Sequence, residues 1–103
     1  MELRTEDSTL WVGGQLDVRC ITELRNAVYD HLDTHPGHVV LDLSEVESAD
    51  VTVLKMLAVA SRTANEAGHR VTVRDCPDGV RRLMHLAHLR ELMTVEDSAA
   101  ETA

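Results

Sequence analysis

The spacing of apolar side chains switches repeatedly between a period of two and a period of 3.6 along this chain, and each switch predicts an element boundary. Thr9-Leu10-Trp11-Val12-Gly13 alternates as a strand closed by Gly13-Gly14, and Glu2-Leu3-Arg4-Thr5 falls beside it through the polar turn Glu6-Asp7-Ser8. Ile21, Leu24, Val28 and Leu32 recur at helical spacing until His35-Pro36-Gly37 stops the run. His38-Val39-Val40-Leu41-Asp42-Leu43 is apolar nearly throughout, which predicts a central strand buried on both faces. Residues 44–49 are polar and read as a link. Residues 51–66 then lack Gly and Pro, with Asp50 as the expected N-cap and Ala67-Gly68 as the stop, so they predict a second helix. Arg70-Val71-Thr72-Val73-Arg74 alternates as a strand, and residues 75–79 turn. Val80, Leu83, Met84, Leu86 and Ala87 form a third amphipathic helix, and residues 92–95 a last short strand.

A strand pair followed by alternating helices and strands predicts one α/β domain over residues 1–95. Its core is a mixed four- to five-stranded β-sheet with three to four α-helices packed against it. Residues 96–103 are small, polar and acidic, and are expected to be a disordered tail. The 103-residue length suits a single domain, and thirteen Leu and thirteen Val supply an aliphatic core without Phe.

Charge narrows the function more than hydropathy does. Eighteen Asp and Glu against ten Lys and Arg give a net charge of −8, with Trp11 and Tyr29 as the only large aromatics. A nucleic-acid binder needs a basic footprint and often aromatic platforms, so that class is set aside. No apolar run approaches membrane-span length, and residues 1–7 lack a basic segment followed by an apolar one, so a cytoplasmic protein is expected. Cys20 and Cys76 stand far apart without a Cys-x-x-Cys pattern, which suggests neither a disulfide framework nor a zinc knuckle.

The six histidines include two pairs at helical spacing, His31 with His35 and His85 with His88. There is no His-Glu-x-x-His arrangement and no evident third ligand, so the expectation is solvent-exposed histidines near helix ends and no metal. No Gly-x-Ser-x-Gly elbow, P-loop or Gly-x-Gly-x-x-Gly occurs, so no catalytic residue and no cofactor is assigned.

The order of a buried strand, a short polar link, Asp50 at a helix start, a helix rich in small residues, and Gly68 before another strand resembles the STAS family, specifically the bacterial anti-sigma factor antagonists. In that family an Asp-Ser-Ser/Thr-Gly-Leu motif begins the helix; here those positions are Asp50-Val51-Thr52-Val53-Leu54. The resemblance extends to Gly14-Gln15-Leu16-Asp17, where the family has Gly-Glu-Leu-Asp, and to Val80-Arg81-Arg82-Leu83 with Leu89, so it covers about residues 9–95. It implies a protein-binding switch. The unphosphorylated antagonist docks on an anti-sigma factor that is also a serine kinase, the sigma factor is released, and phosphorylation of the first motif Ser ends the complex.

This chain departs from the pattern at the switch itself. Val51 stands at the acceptor position without a hydroxyl, Val53 replaces the motif Gly, and Lys55 stands where a small residue is common. Thr52 keeps a hydroxyl and is read either as a capping or solvent-facing group or as an alternative phosphosite. Asp50 is read as a cap and, through the resemblance, as part of the partner contact. Asp17 is equally a turn or cap residue and a partner residue. On the second helix Val53, Leu57, Ala60, Ala64 and Ala67 follow one face and Leu54, Ala58 and Ser61 a neighbouring one, leaving Val51, Met56 and Val59 for exposure or a wider buried stripe. The candidate partner-binding set is therefore Asp17, Asp50, Val51, Thr52, Val53, Lys55, Met56 and Val59. The expected partner is a serine-kinase anti-sigma factor, with other STAS proteins and a homodimer as further options. The alternative function is a diverged scaffold or a small-ligand or nucleotide sensor.

Overall fold

Alternating apolar residues on β2 (Thr9–Leu16), β3 (His38–Ala49) and β4 (Arg70–Arg74) leave one sheet face continuous in Leu and Val. In register, Leu10 lies beside Leu41 and Leu41 beside Val73. The helices α1 (Ile21–Thr34), α2 (Val51–Glu66) and α3 (Asp78–Leu86) cover that face. The computed structural model describes residues 1–96 and adds β1 (Glu2–Glu6) and β5 (Thr94–Glu96), giving the strand order β1-β2-β3-β4-β5. β1 runs antiparallel to β2, and every later neighbour is parallel. Right-handed crossovers between strands that follow in simple order place all three helices on one side. One core results. Leu24, Val28 and Leu32 of α1, Val53, Leu54 and Leu57 of α2, and Val80 and Met84 of α3 meet the strands there.

Several boundaries differ from the sequence expectation, the last strand among them: β5 takes in Glu96, the first residue of the expected tail, and Leu92 ends a 3-10 turn begun at Arg90 instead of opening the strand. β2 does not end at Gly13-Gly14 but continues to Leu16, and residues 44–49 are not a link but the second half of β3. Gly13 sits beside Glu45, Gly14 beside Val46 and Leu16 beside Ala49, with two register shifts. A Cβ on Gly13 would come within 3.1 Å of the Glu45 Cβ, and Gly14 has a φ of +84°, so glycine is what lets β2 stay paired alongside the bulged β3 and carry on. α3 begins at Asp78 and takes in Gly79. The tail expected over residues 96–103 lies, from residue 97 onward, outside the described residues.

The opposite sheet face carries no helix and protects itself with side chains. Arg4, Trp11, Asp42 and Arg74 stand side by side across four strands. The Arg4 and Arg74 guanidinium carbons lie 4.7 and 5.7 Å from the Trp11 ring centroid. Arg74 donates from Nε and Nη2 to Asp42 Oδ2 at 2.9 and 2.8 Å, while Asp42 Oδ1 accepts from the Ser44 amide. This explains how a carboxylate is buried at the middle of a sheet: its oxygens are all engaged.

His31 corrects the expectation of exposed histidines. It falls one helical turn beyond Val28 and is buried, its Nε2–H donating to the Ser8 carbonyl at 2.8 Å and tying α1 to the β1–β2 turn. His35 packs against it with ring centroids 4.3 Å apart.

Candidate functional site

The extension of β2 and β3 determines where the candidate residues sit. Both strands finish at the same end of the sheet, and the Asp50 amide donates to the Leu16 carbonyl at 2.9 Å. Asp17 and Asp50, 33 positions apart in the sequence, therefore emerge side by side. The parallel pairing of Leu16 with Ala49 brings them there.

Asp17 is a cap, though of a short 3-10 turn over Val18–Cys20. Its Oδ1 accepts from the Arg19 amide at 2.9 Å and its Oδ2 from Arg19 Nη2 at 2.8 Å. These hydrogen bonds hold the Asp17 carboxyl below the usual carboxylate range. Asp50 behaves otherwise. It occupies the N-cap position of α2 in extended conformation and its carbonyl accepts the first helical hydrogen bond from Leu54, but its carboxylate accepts none from the helix amides. The side-chain capping expected of it is therefore absent, and the exposed carboxylate points to solvent.

Along α2 the candidates separate by face. Val51 is half-buried at the first helical residue and Thr52 beside it is exposed. Val53 is fully buried with Leu54, so its side chain belongs to the core and contributes nothing to the surface. That corrects its place in the candidate partner set: a residue two positions after Val51 points inward because the helix turns about 100° per residue. Lys55 is exposed, Met56 packs partly against the core, and Val59 is 56% exposed. Thr52, Lys55, Met56 and Val59 thus form a single accessible stripe. Ala67, expected on the buried face, is exposed where the helix ends.

The surroundings add residues that sequence reasoning missed. Val18 is 59% exposed in the turn after Asp17. A cleft of about 250 Å³ lies between the end of β3 and the start of α3, lined by Glu47, Ser48, Ala49, Pro77, Gly79 and Val80. Across α2, Arg25 and Tyr29 of α1 reach the Lys55 and Val59 side. The signal for Tyr29 was present in the sequence, because it is an apolar residue off the Leu24-Val28-Leu32 stripe.

Among the described residues no three His, Cys, Asp or Glu side chains converge to hold a metal. Cys76 is buried, donates to Met84 Sδ, and burial pushes its thiol up to about 11, away from thiolate reactivity. The Cys20 Sγ–H donates to the Asp17 carbonyl. No helix among the described residues is long and apolar enough to cross a membrane.

No curated protein sequence matches the chain significantly. Solved structures do. A Thermotoga maritima protein assigned as an anti-sigma factor antagonist aligns over 98% of this chain and 89% of its own, at 19% identity and a TM-score of 0.76. An anti-sigma factor antagonist from Mycobacterium paratuberculosis aligns over 92% and 82%, at 24% identity and a TM-score of 0.73. The STAS domain of a SulP transporter from Vibrio cholerae aligns over 84% and 69%, at 16% identity and a TM-score of 0.63. At such identities these structures establish the shared fold, which serves antagonists and a transporter domain alike. The family model described as "Mlab, STAS domain" matches residues 1–94, and with the sheet order, the helices on one face and Asp50 at the start of α2 in place, the chain belongs to the STAS domain family.

Proposed function

We propose that this STAS domain is a non-catalytic docking module of the anti-sigma factor antagonist type, which engages a serine-kinase anti-sigma factor through the accessible stripe of α2 and the neighbouring Asp17 turn. The observation that carries this reading is the exposed first turn of α2, where Thr52 is open and Val51 occupies the position at which the antagonist motif has its acceptor Ser. A phosphate adds about −1.5 to −2 charges at neutral pH, enough to break a packed contact, and Val51 has no oxygen to carry it. Docking is therefore constitutive with respect to the usual switch, and the protein acts in the cytoplasm without a cofactor.

The test is incubation with serine-kinase anti-sigma factors of the source organism and ATP, read by mass spectrometry and by complex formation. The wild type should form a complex and carry no phosphate on residues 50–54, whereas Val51→Ser should gain phosphate and dissociate. Stoichiometric phosphate on wild-type Thr52 would show that the switch has moved one residue rather than vanished. Capture of small metabolites without any protein partner would overturn the docking reading. A nucleotide sensor is disfavoured by the cavity of about 400 Å³ beside the Asp17 turn: it is lined by Asp17 and Glu23 as well as Arg19, and Arg19 is already paired with Asp17.

A further inference from the structure

The valley between α1 and α2 is apolar and basic on an acidic molecule. It forms a groove of about 360 Å³ lined by Arg25 and Tyr29 of α1 and by Lys55, Met56, Val59 and Ala60 of α2. Val59 and Tyr29 are two of the four large hydrophobic side chains exposed on the described surface. No carboxylate lines the groove, although the chain holds 18. Among the described residues Arg25 and Lys55 make no ion pair, whereas Arg62, the other Lys or Arg side chain of α1 and α2, meets Glu66. Lys55 is also the only lysine in the sequence. An apolar strip bracketed by two unpaired cations is thus the one place on α1 and α2 where positive charge is uncompensated.

We infer that this groove is the seat of an acidic amphipathic helix of the docking partner, an inference that rests on the proposed docking role and names the chemistry of what docks. The geometry fits a helix. Met56, Val59 and Ala60 follow the i, i+3, i+4 spacing and Arg25 and Tyr29 the i, i+4 spacing, so two neighbouring ridges flank a valley into which a third helix lays its apolar side. The cations stand on opposite walls, Arg25 on α1 and Lys55 on α2, where Glu or Asp flanking the partner's apolar stripe meets them. Thr52 lies one turn before Lys55 and Met56, which makes the groove continuous with the first turn of α2 and explains how a charge placed there disturbs the same partner. A lipid surface is the wrong occupant: an acidic helix meets only the groove and its two cations, whereas an extended anionic bilayer also meets the surrounding surface of a molecule with a net charge of −8.

The inference is tested with two fluorescein-labelled helical peptides that share a Leu stripe at i, i+3, i+4, i+7 and differ in flanking Glu or Lys. By fluorescence anisotropy the Glu peptide should bind the wild type at least tenfold more tightly than the Lys peptide, and Arg25→Glu/Lys55→Glu should reverse that order. Val59→Ser should weaken the Glu peptide without moving Tm by more than a few degrees. Equal binding of both peptides, or equal binding to vesicles of anionic phospholipid, overturns the groove assignment. The docking role is read separately with the purified serine-kinase anti-sigma factor. If Thr52→Glu abolishes that complex while Arg25→Glu/Lys55→Glu leaves it intact, the docking role stands and the groove falls. If the wild type forms no complex with the kinase yet discriminates the peptides, the groove stands and the kinase reading falls.

Discussion

Val53 and Lys55, two positions apart, have opposite fates. The first is sealed against the sheet and the second reaches into solvent, because α2 presents only one side to the core. Val51 is half-buried, so a hydroxyl there needs no new space, and Val51→Ser, the variant that tests the proposed phosphoswitch, is expected to cost little in stability. Asp50→Ala is expected to change stability by less than about 0.5 kcal/mol in thermal unfolding, since its carboxylate makes no capping bond; a loss near the usual ~1 kcal/mol of an N-cap would show that it caps in solution. Asp42 is the contrasting carboxylate. Removing it strands Arg74 and the Ser44 amide, so Asp42→Ala should destabilise by about 2–3 kcal/mol in denaturant titrations. Cys76 carries a pH signature. Its folded thiol is held near 11 against an ordinary value of 9.0, so the unfolded chain loses that proton first. The contribution is complete below pH 9 and is lost as pH rises toward 11, at up to about 1.4 kcal/mol per unit, and Cys76→Ala should flatten that slope.

At the scale of elements the decisive feature is the pair of bulges in β3, set against the glycines of β2. They let β2 run three residues past Gly13, draw the polar second half of β3 into the sheet, and bring the Asp17 turn against the start of α2. Gly14→Ala should cost about 1–2 kcal/mol, because its left-handed φ disfavours any Cβ and the new carbon would also strike the Glu2 carboxylate. Its sharper consequence is functional: the Asp17 turn should shift, and partner affinity should fall by more than the stability loss explains, as titration calorimetry on the folded fraction would report. The sequence marks Gly13-Gly14 as an end because paired glycines usually close strands; only the partner strand, whose Cβ at Glu45 crowds Gly13, reveals that they are there to permit close approach. The same limit applied to residues 44–49. Only Val46 is buried there, and two register shifts break the period of two, so polarity hides the strand until a neighbour is known.

For the molecule as a whole, charge and layering act together. Helices cover one sheet face, while the other is shielded by the Arg4-Trp11-Asp42-Arg74 row, and of the four large hydrophobic side chains exposed among the described residues Tyr29 and Val59 share the groove of α1 and α2. Outside the groove, the net charge of −8 favours a partner whose surface beyond its acidic docking helix is basic, and association with it should slow by severalfold or more between about 50 and 300 mM salt in stopped-flow measurements, while the dissociation rate changes less; a salt-independent association rate would count against electrostatic steering. The succession of strands and helices, the aliphatic core and the α2 span from Val51 to Glu66 were all legible in the sequence, because hydrophobic period, Gly and Pro positions and residue chemistry are local properties. The depth of β2 and β3, the burial of His31, the absence of a capping bond from Asp50 and the groove shared by α1 and α2 were decided only in the tertiary structure. Each depends on which residues meet across tens of positions, and local pattern carries no information about that.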